Sequence, residues 1–206
     1  MLMKTSRRMS IGMDIKSLGG AHGVFLEYGS NDDKESEFGA LFLLPPENTI
    51  QSMQNTISNL VSYTTKSKSQ NKELSTPRLQ TLLQTELRRS KVTMTLPRFK
   101  ISYGAKSLKS ELKKLGMQSA FDENGTFDEM TSDPLVHLDD IYHKTTVEVT
   151  EEGTVAAAAT GAVMMTRSIE IPIEINFDRP FIMVISHIKT GLPLFIGKID
   201  DPELMF

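Results

Sequence analysis

Apolar residues recur along this chain at two spacings, and the switches between them mark its elements. HGVFLEYGS (22–30) and FGALFLLPPE (38–47) predict strands, the second stopped by Pro45-Pro46; the polar NDDKESE between them makes an antiparallel pair. From Thr49 the period lengthens. Ile50, Met53, Ile57, Leu60 and Val61 fall three or four apart and share one helical face, with Thr49 as the cap. KSKSQNKELST (66–76) is an exposed polar loop, and Pro77 opens a short helix through Leu87. In KVTMTLPRFKISYG (91–104), Val92, Met94 and Leu96 point one way and Thr93 and Thr95 the other; Pro97 predicts a bend or bulge in that strand. SLKSELKKLGM (107–117) predicts an amphipathic helix with Leu108, Leu112 and Leu115 on one face and Gly116 as its stop.

Further on, YHKTTVEVTEE (142–152) predicts a strand. In IEIPIEINF (169–177), Ile169, Ile171, Ile173, Ile175 and Phe177 alternate with Glu170 and Glu174. PFIMVISHI (180–188) and PLFIGKI (193–199) are continuous apolar runs, which predicts strands buried on both faces. The whole is mainly β with helices packed on it, an α+β chain.

Composition narrows the functional classes. The 206 residues include no cysteine, so disulfides and thiol chemistry are excluded. The formal charge of -3 lends nucleic-acid binding no support, and no apolar run reaches membrane-spanning length. MLMKTSRRMSIGMD carries Arg7 and Arg8 without a hydrophobic block behind them, unlike a secretory signal. Asn124-Gly125-Thr126 is a glycosylation sequon that matters only in a secreted chain. No metal-ligand cluster, phosphate loop or catalytic triad stands out, and His22, His137 and His187 are scattered.

One stretch fits none of these patterns. EEGTVAAAATGAVMMTRS (151–168) is built of small residues and ends on Arg167, the sole charged side chain between Glu152 and Glu170. Alanine favours a helix, but Gly153 and Gly161 bracket a short run; a flexible linker is the second option. The third is a segment exposed in one state and a strand in another. Thr154, Ala156, Ala158 and Thr160 would then face one side and Val155, Ala157, Ala159 and Gly161 the other, neither needing a preformed cavity.

The Glu151-Glu152-Gly153-Thr154-Val155-Ala156-Ala157-Ala158-Ala159 run resembles the hinge of the reactive-centre loop of the serpins, a protease-inhibitor family. INFDRPFIMVI (175–185) resembles the family's C-terminal signature, and PLFIGKIDDP its last strand and tail. FGALFLLPPE, VTMTLPRFKI, LKKLGM and YHKTTVEVTEEGT occur in the family's order. The resemblance implies a serpin-like α+β fold, a reactive-centre loop over about 151–171, and a bait bond between Arg167 and Ser168. It implies subsidiary protease contacts from Met164, Met165 and Thr166, and a trypsin-like serine protease as target, since such enzymes read a basic residue with an aspartate. It implies a suicide inhibitor, not an enzyme, with no cofactor and no metal, acting as a monomer without nucleic acid or membrane. Glycosaminoglycan binding is left open.

His143 resembles a histidine that the family places in the strand before the hinge; an ordinary half-buried strand histidine is the alternative reading. The family suggests an extracellular protein, with the cytosol as alternative because no signal peptide is legible. Members are about twice this long, so residues 1–206 are expected to be a partial serpin domain that lacks the N-terminal half. A non-inhibitory or truncated serpin-like scaffold is the second functional expectation.

Overall fold

The computed structural model describes residues 2–29, 36–64, 78–122, 127, 129–133, 136–150 and 171–201. They fall into two compact units, Met1–Arg98 with Thr150–Phe206, and Phe99–Val149.

The first unit is built on a seven-stranded sheet of order β7-β4-β1-β2-β3-β8-β9. Its longest strand is β1 (Leu2–Ile15), a stretch for which the apolar spacing predicts no element. Its first part nonetheless alternates: Met3, Met9 and Ile11 are buried, while Lys4, Ser6 and Arg8 between them are exposed. β1 pairs antiparallel with β2 (Ala21–Glu27) and with β4 (Arg88–Pro97). β3 (Phe38–Leu44) pairs with β2 as expected and with β8 (Phe181–His187), and β9 (Leu192–Ile199) closes that edge. β7 (Ile173–Asn176) lies parallel to β4 at the other edge.

Two helices cover one face. α1 (Ile50–Thr64) and α2 (Arg78–Thr85) bury Met53, Leu60, Leu79 and Leu82 against Phe25, Leu41, Leu43, Ile182 and Val184. Each of those strand residues lies on the same pleat, which is why strand and helix periods meet here. The apolar stripe of α1 is narrower than its spacing predicts, for Ile50 is 81% and Val61 44% exposed. Thr49 caps α1, its Oγ1 accepting from the Ser52 amide at 3.1 Å. Thr49→Ala is expected to lower stability by about 1 kcal/mol, read as a shift in the urea midpoint at unchanged slope.

The opposite face buries Val24, Leu26, Ala40, Phe42, Val92, Met94, Leu96 and Met183. The sheet curls over this second core. Phe177, just past edge strand β7, reaches Phe42 at 5.8 Å and Phe181 at 5.3 Å between ring centroids. Arg179 fastens the turn that follows, its Nη2 donating to the Pro45 carbonyl at 2.6 Å.

Three expectations need correction. Pro97 divides the 91–104 run instead of bending it: β4 ends there, and β5 (Phe99–Ser107) belongs to the second unit. Of the 169–177 alternation, Ile169 and Glu170 lie outside the described residues, β7 covers Ile173–Asn176, and Ile171 is 82% exposed outside that strand. β9 is no doubly buried strand, because it is the sheet's last: Leu192, Leu194, Phe195 and Ile196 are exposed.

The second unit holds the antiparallel pair β5 and β6 (Tyr142–Val149) and the short helix α3 (Lys109–Lys114). α3 stops where expected, with Gly116 at φ 102°, a left-handed conformation that glycine adopts without strain. None of its residues is buried, and Leu115 is 83% exposed.

Candidate functional site

The residues from Glu151 to Ala159, with Met164, Met165, Thr166, Arg167 and Ser168, lie outside the described residues, as do Asn124 and the 66–76 loop. What is described is the strand on either side: β6 runs into the small-residue stretch, and β7 follows it.

β6 alternates cleanly. Thr145, Val147 and Val149 are half-buried on one pleat, while Tyr142, Lys144, Thr146 and Glu148 are exposed on the other. Its partner is β5, in a register that sets Lys100 opposite Glu148 and Tyr103 opposite Thr145, with a bulge between Tyr103 and Lys106. Lys100 Nζ lies 2.9 Å from Glu148 Oε2; both side chains are more than half exposed, so the pair adds little stability. On its other side β6 has no partner among the described residues, since the sheet has the order β5-β6. Its unpaired N–H and C=O groups form an edge that can accept another strand.

The entry to β6 is pinned. Ser107 Oγ donates to Asp140 Oδ1 at 2.8 Å, the Ile141 amide donates to the same oxygen at 2.7 Å, and the Leu108 amide donates to the Ile141 carbonyl at 2.9 Å. The Ser107 hydroxyl, followed by the Ile141 amide, the Tyr142 side chain and the Lys109 charge, holds the Asp140 carboxyl below its ordinary range. A carboxyl depressed in the folded state favours folding above its unfolded pKa, and that contribution fades as pH falls through the depressed value. Ser107→Ala is therefore expected to raise the Asp140 midpoint in an NMR titration. An unchanged midpoint would exclude the hydroxyl as its cause.

His143 is exposed on β6, its Nε2 2.7 Å from Thr145 Oγ1 on the same pleat. The Ser107–Asp140 anchor was not legible in sequence, because 33 positions separate its members and neither falls in a motif. Among the described residues no group of three or more His, Asp or Glu is placed to hold a metal ion. No described helix is long and apolar enough to cross a membrane.

Residues 1–202 match the family model described as Serpin (serine protease inhibitor). Serpin B6 of Bos taurus is 44% identical over 112 residues, covering 54% of this chain and 29% of that protein. Serpin-Z7 of Hordeum vulgare is 42% identical over 110 residues, covering 53% and 28%. The fold of a serpin from the trematode Schistosoma haematobium matches with a TM-score of 0.69 at 18% identity, over 96% of this chain and 46% of that one. Thyroxine-binding globulin in complex with thyroxine matches with a TM-score of 0.66 at 24% identity, over 98% and 46%. The aligned region thus spans under a third of these curated relatives, and the chain just under half of these solved structures. The seven-stranded sheet, the β5–β6 pair leading into the small-residue stretch, and the match over 1–202 agree: this chain belongs to the serpin family, whose α+β fold it shares.

Proposed function

We propose that this chain carries the bait loop, and the sheet edge that receives it, of an inhibitor of a trypsin-like serine protease. The carrying observation is one of order along the chain. A strand with an open edge among the described residues, β6, runs directly into Glu-Glu-Gly-Thr-Val and four alanines, and the next basic residue is Arg167.

The protease serine Oγ attacks the Arg167 carbonyl carbon. An ester forms there, the bond to Ser168 breaks, and the freed amine of Ser168 leaves with the proton that the protease histidine delivers. Met164, Met165 and Thr166 make the subsidiary contacts. The released segment then adds as a strand beside β6. From Gly153 to Arg167 is 14 residue steps, which as a strand extend about 46 Å at ~3.3 Å each. Threonine, valine and alanine enter such a strand without a cavity having to open, so sheet completion drives the acylated protease away from water and from its own working geometry.

A second reading has one observation in its favour. Among the described residues the β5–β6 sheet has two strands, with nothing on the far side of the gap. A chain that cannot close the trap is a cleavable, non-inhibitory scaffold. Incubation with trypsin separates the two. A covalent complex stable in SDS, with a nick after Arg167, supports inhibition; a nick without complex supports the scaffold; an intact loop sinks the bait assignment itself.

A further inference from the structure

α1 buries Met53 and Leu60 but leaves Ile50 exposed, although all three belong to its apolar stripe. A hollow of about 180 Å³ opens at that end of the helix, where the exit of β3 meets the start of β8 and the end of β9. Ile50, Met53 and Ile57 line it from the helix, three and four residues apart and therefore on one side. Pro45 and Pro180 line it from the strands, and neither has a backbone N–H to leave unsatisfied there.

The charged part of the lining is unbalanced. Lys198 Nζ lies 2.7 Å from Asp200 Oδ1, so those two charges offset each other. Glu47 is left over. Its amide donates to Ser52 Oγ at 3.3 Å, but its carboxylate makes no ion pair among the described residues. Arg179, whose Nη2 holds the Pro45 carbonyl, is not in the lining. The exposed side chain of Gln54 adds a neutral acceptor. An apolar concavity with a few polar groups is the usual form of a small-molecule site, the polar groups fixing the orientation of the guest.

We propose that this hollow binds a small organic cation, one ammonium group on a hydrocarbon or aromatic body. The body lies against Ile50, Met53, Ile57 and the two prolines, and the ammonium faces Glu47 and Gln54. A cavity of about 150 Å³ holds benzene, so a body of that size fits here. An anionic guest would meet Glu47 and Asp200 with a lysine that is already paired, and a neutral guest would leave the Glu47 charge unmatched.

The test is an NMR titration of the 15N-labelled 206-residue chain with three probes of similar shape: 2-phenylethylammonium, 2-phenylethanol and 3-phenylpropionate, at constant ionic strength. The ammonium should bind saturably at one site, with the largest shifts at the amides of residues 47–57. It should bind about fivefold more tightly than the alcohol, the scale of an exposed ion pair, and the propionate should bind least. Glu47→Gln should bring the ammonium down to the level of the alcohol, whereas Glu47→Asp keeps the preference. Ile50→Ser should weaken both the ammonium and the alcohol; the side chain is 81% exposed, so the fold tolerates the change. Glu27→Gln, on β2, should alter nothing. Equal binding of the three probes, preference for the propionate, shifts gathered elsewhere on the chain, or a Glu47→Gln chain that still selects the ammonium would each overturn the assignment. No protease enters these measurements and no bait-loop residue is changed, so their failure leaves the bait-loop proposal standing.

Discussion

Phe177→Ala should cost about 3–5 kcal/mol of stability, the range for removing a large buried aromatic side chain. Phe177 is fully buried and meets Phe42 and Phe181 edge-on, an arrangement that adds about 0.5–1.5 kcal/mol per pair beyond area burial. Its amide donates to the Thr95 carbonyl at 2.9 Å, so the backbone stays tied and the ring's space has no simple way to collapse. The residue also joins the β7 edge to β3 and β8 across the curl of the sheet, so its loss acts on both ends at once. Phe195 of β9, 40% exposed, is the internal comparison. Its replacement by alanine should cost clearly less than that of Phe177, because part of its ring already faces water. Equilibrium urea unfolding of the two variants decides the matter. Equal midpoints for both would mean that the aromatic trio does not hold the curl.

Arg167→Glu should reduce trypsin's attack on the loop by about a thousandfold. If Arg167 is the bait residue proposed above, the substitution places a carboxylate against the aspartate that reads it, and like charges facing each other in a desolvated pocket cost several kcal/mol. That cost falls on the transition state as well as on binding, so the specificity constant drops, not the affinity alone. A companion change separates bait from trap. On the proposed reading, Thr154→Arg leaves the bond after Arg167 intact but sets a charged side chain in the segment that would enter beside β6. If the chain traps its protease, this variant should be cut at the parent rate and lose the covalent complex. Gel analysis and mass mapping of the cut site read both. Cleavage of Arg167→Glu at the same bond and rate would show that Arg167 is not the residue the protease selects.

The elements legible in sequence are those whose burial is one-sided and local. β2, β3, β6 and α1 appear where alternation or three-to-four spacing predicts them, and Thr49 caps α1 as expected. β1 is hard to read in sequence because Arg7 and Arg8 stand side by side in its middle and interrupt the alternation. β9 has as apolar a sequence as β8, yet β8 is buried and β9 largely exposed. Sequence pattern reports which side chains avoid water, whereas position in the sheet decides whether a second strand arrives to cover them. Ile50 and Val61 of α1 illustrate the same limit, for their spacing is helical yet both are exposed.

The residues alone pointed to the family, through a run of small side chains followed by one basic residue and through the stretch at 175–185, and the family match over 1–202 agrees. Those are covalent order and side-chain size, properties a chain keeps whether folded or not. Tertiary structure alone decided that Pro97 parts two sheets, that β6 has an open side among the described residues, and that Phe177 meets Phe42 and Phe181. Each of those facts joins positions far apart in the chain. Such contacts form only when many weak burial terms act together, and no short window of sequence contains them.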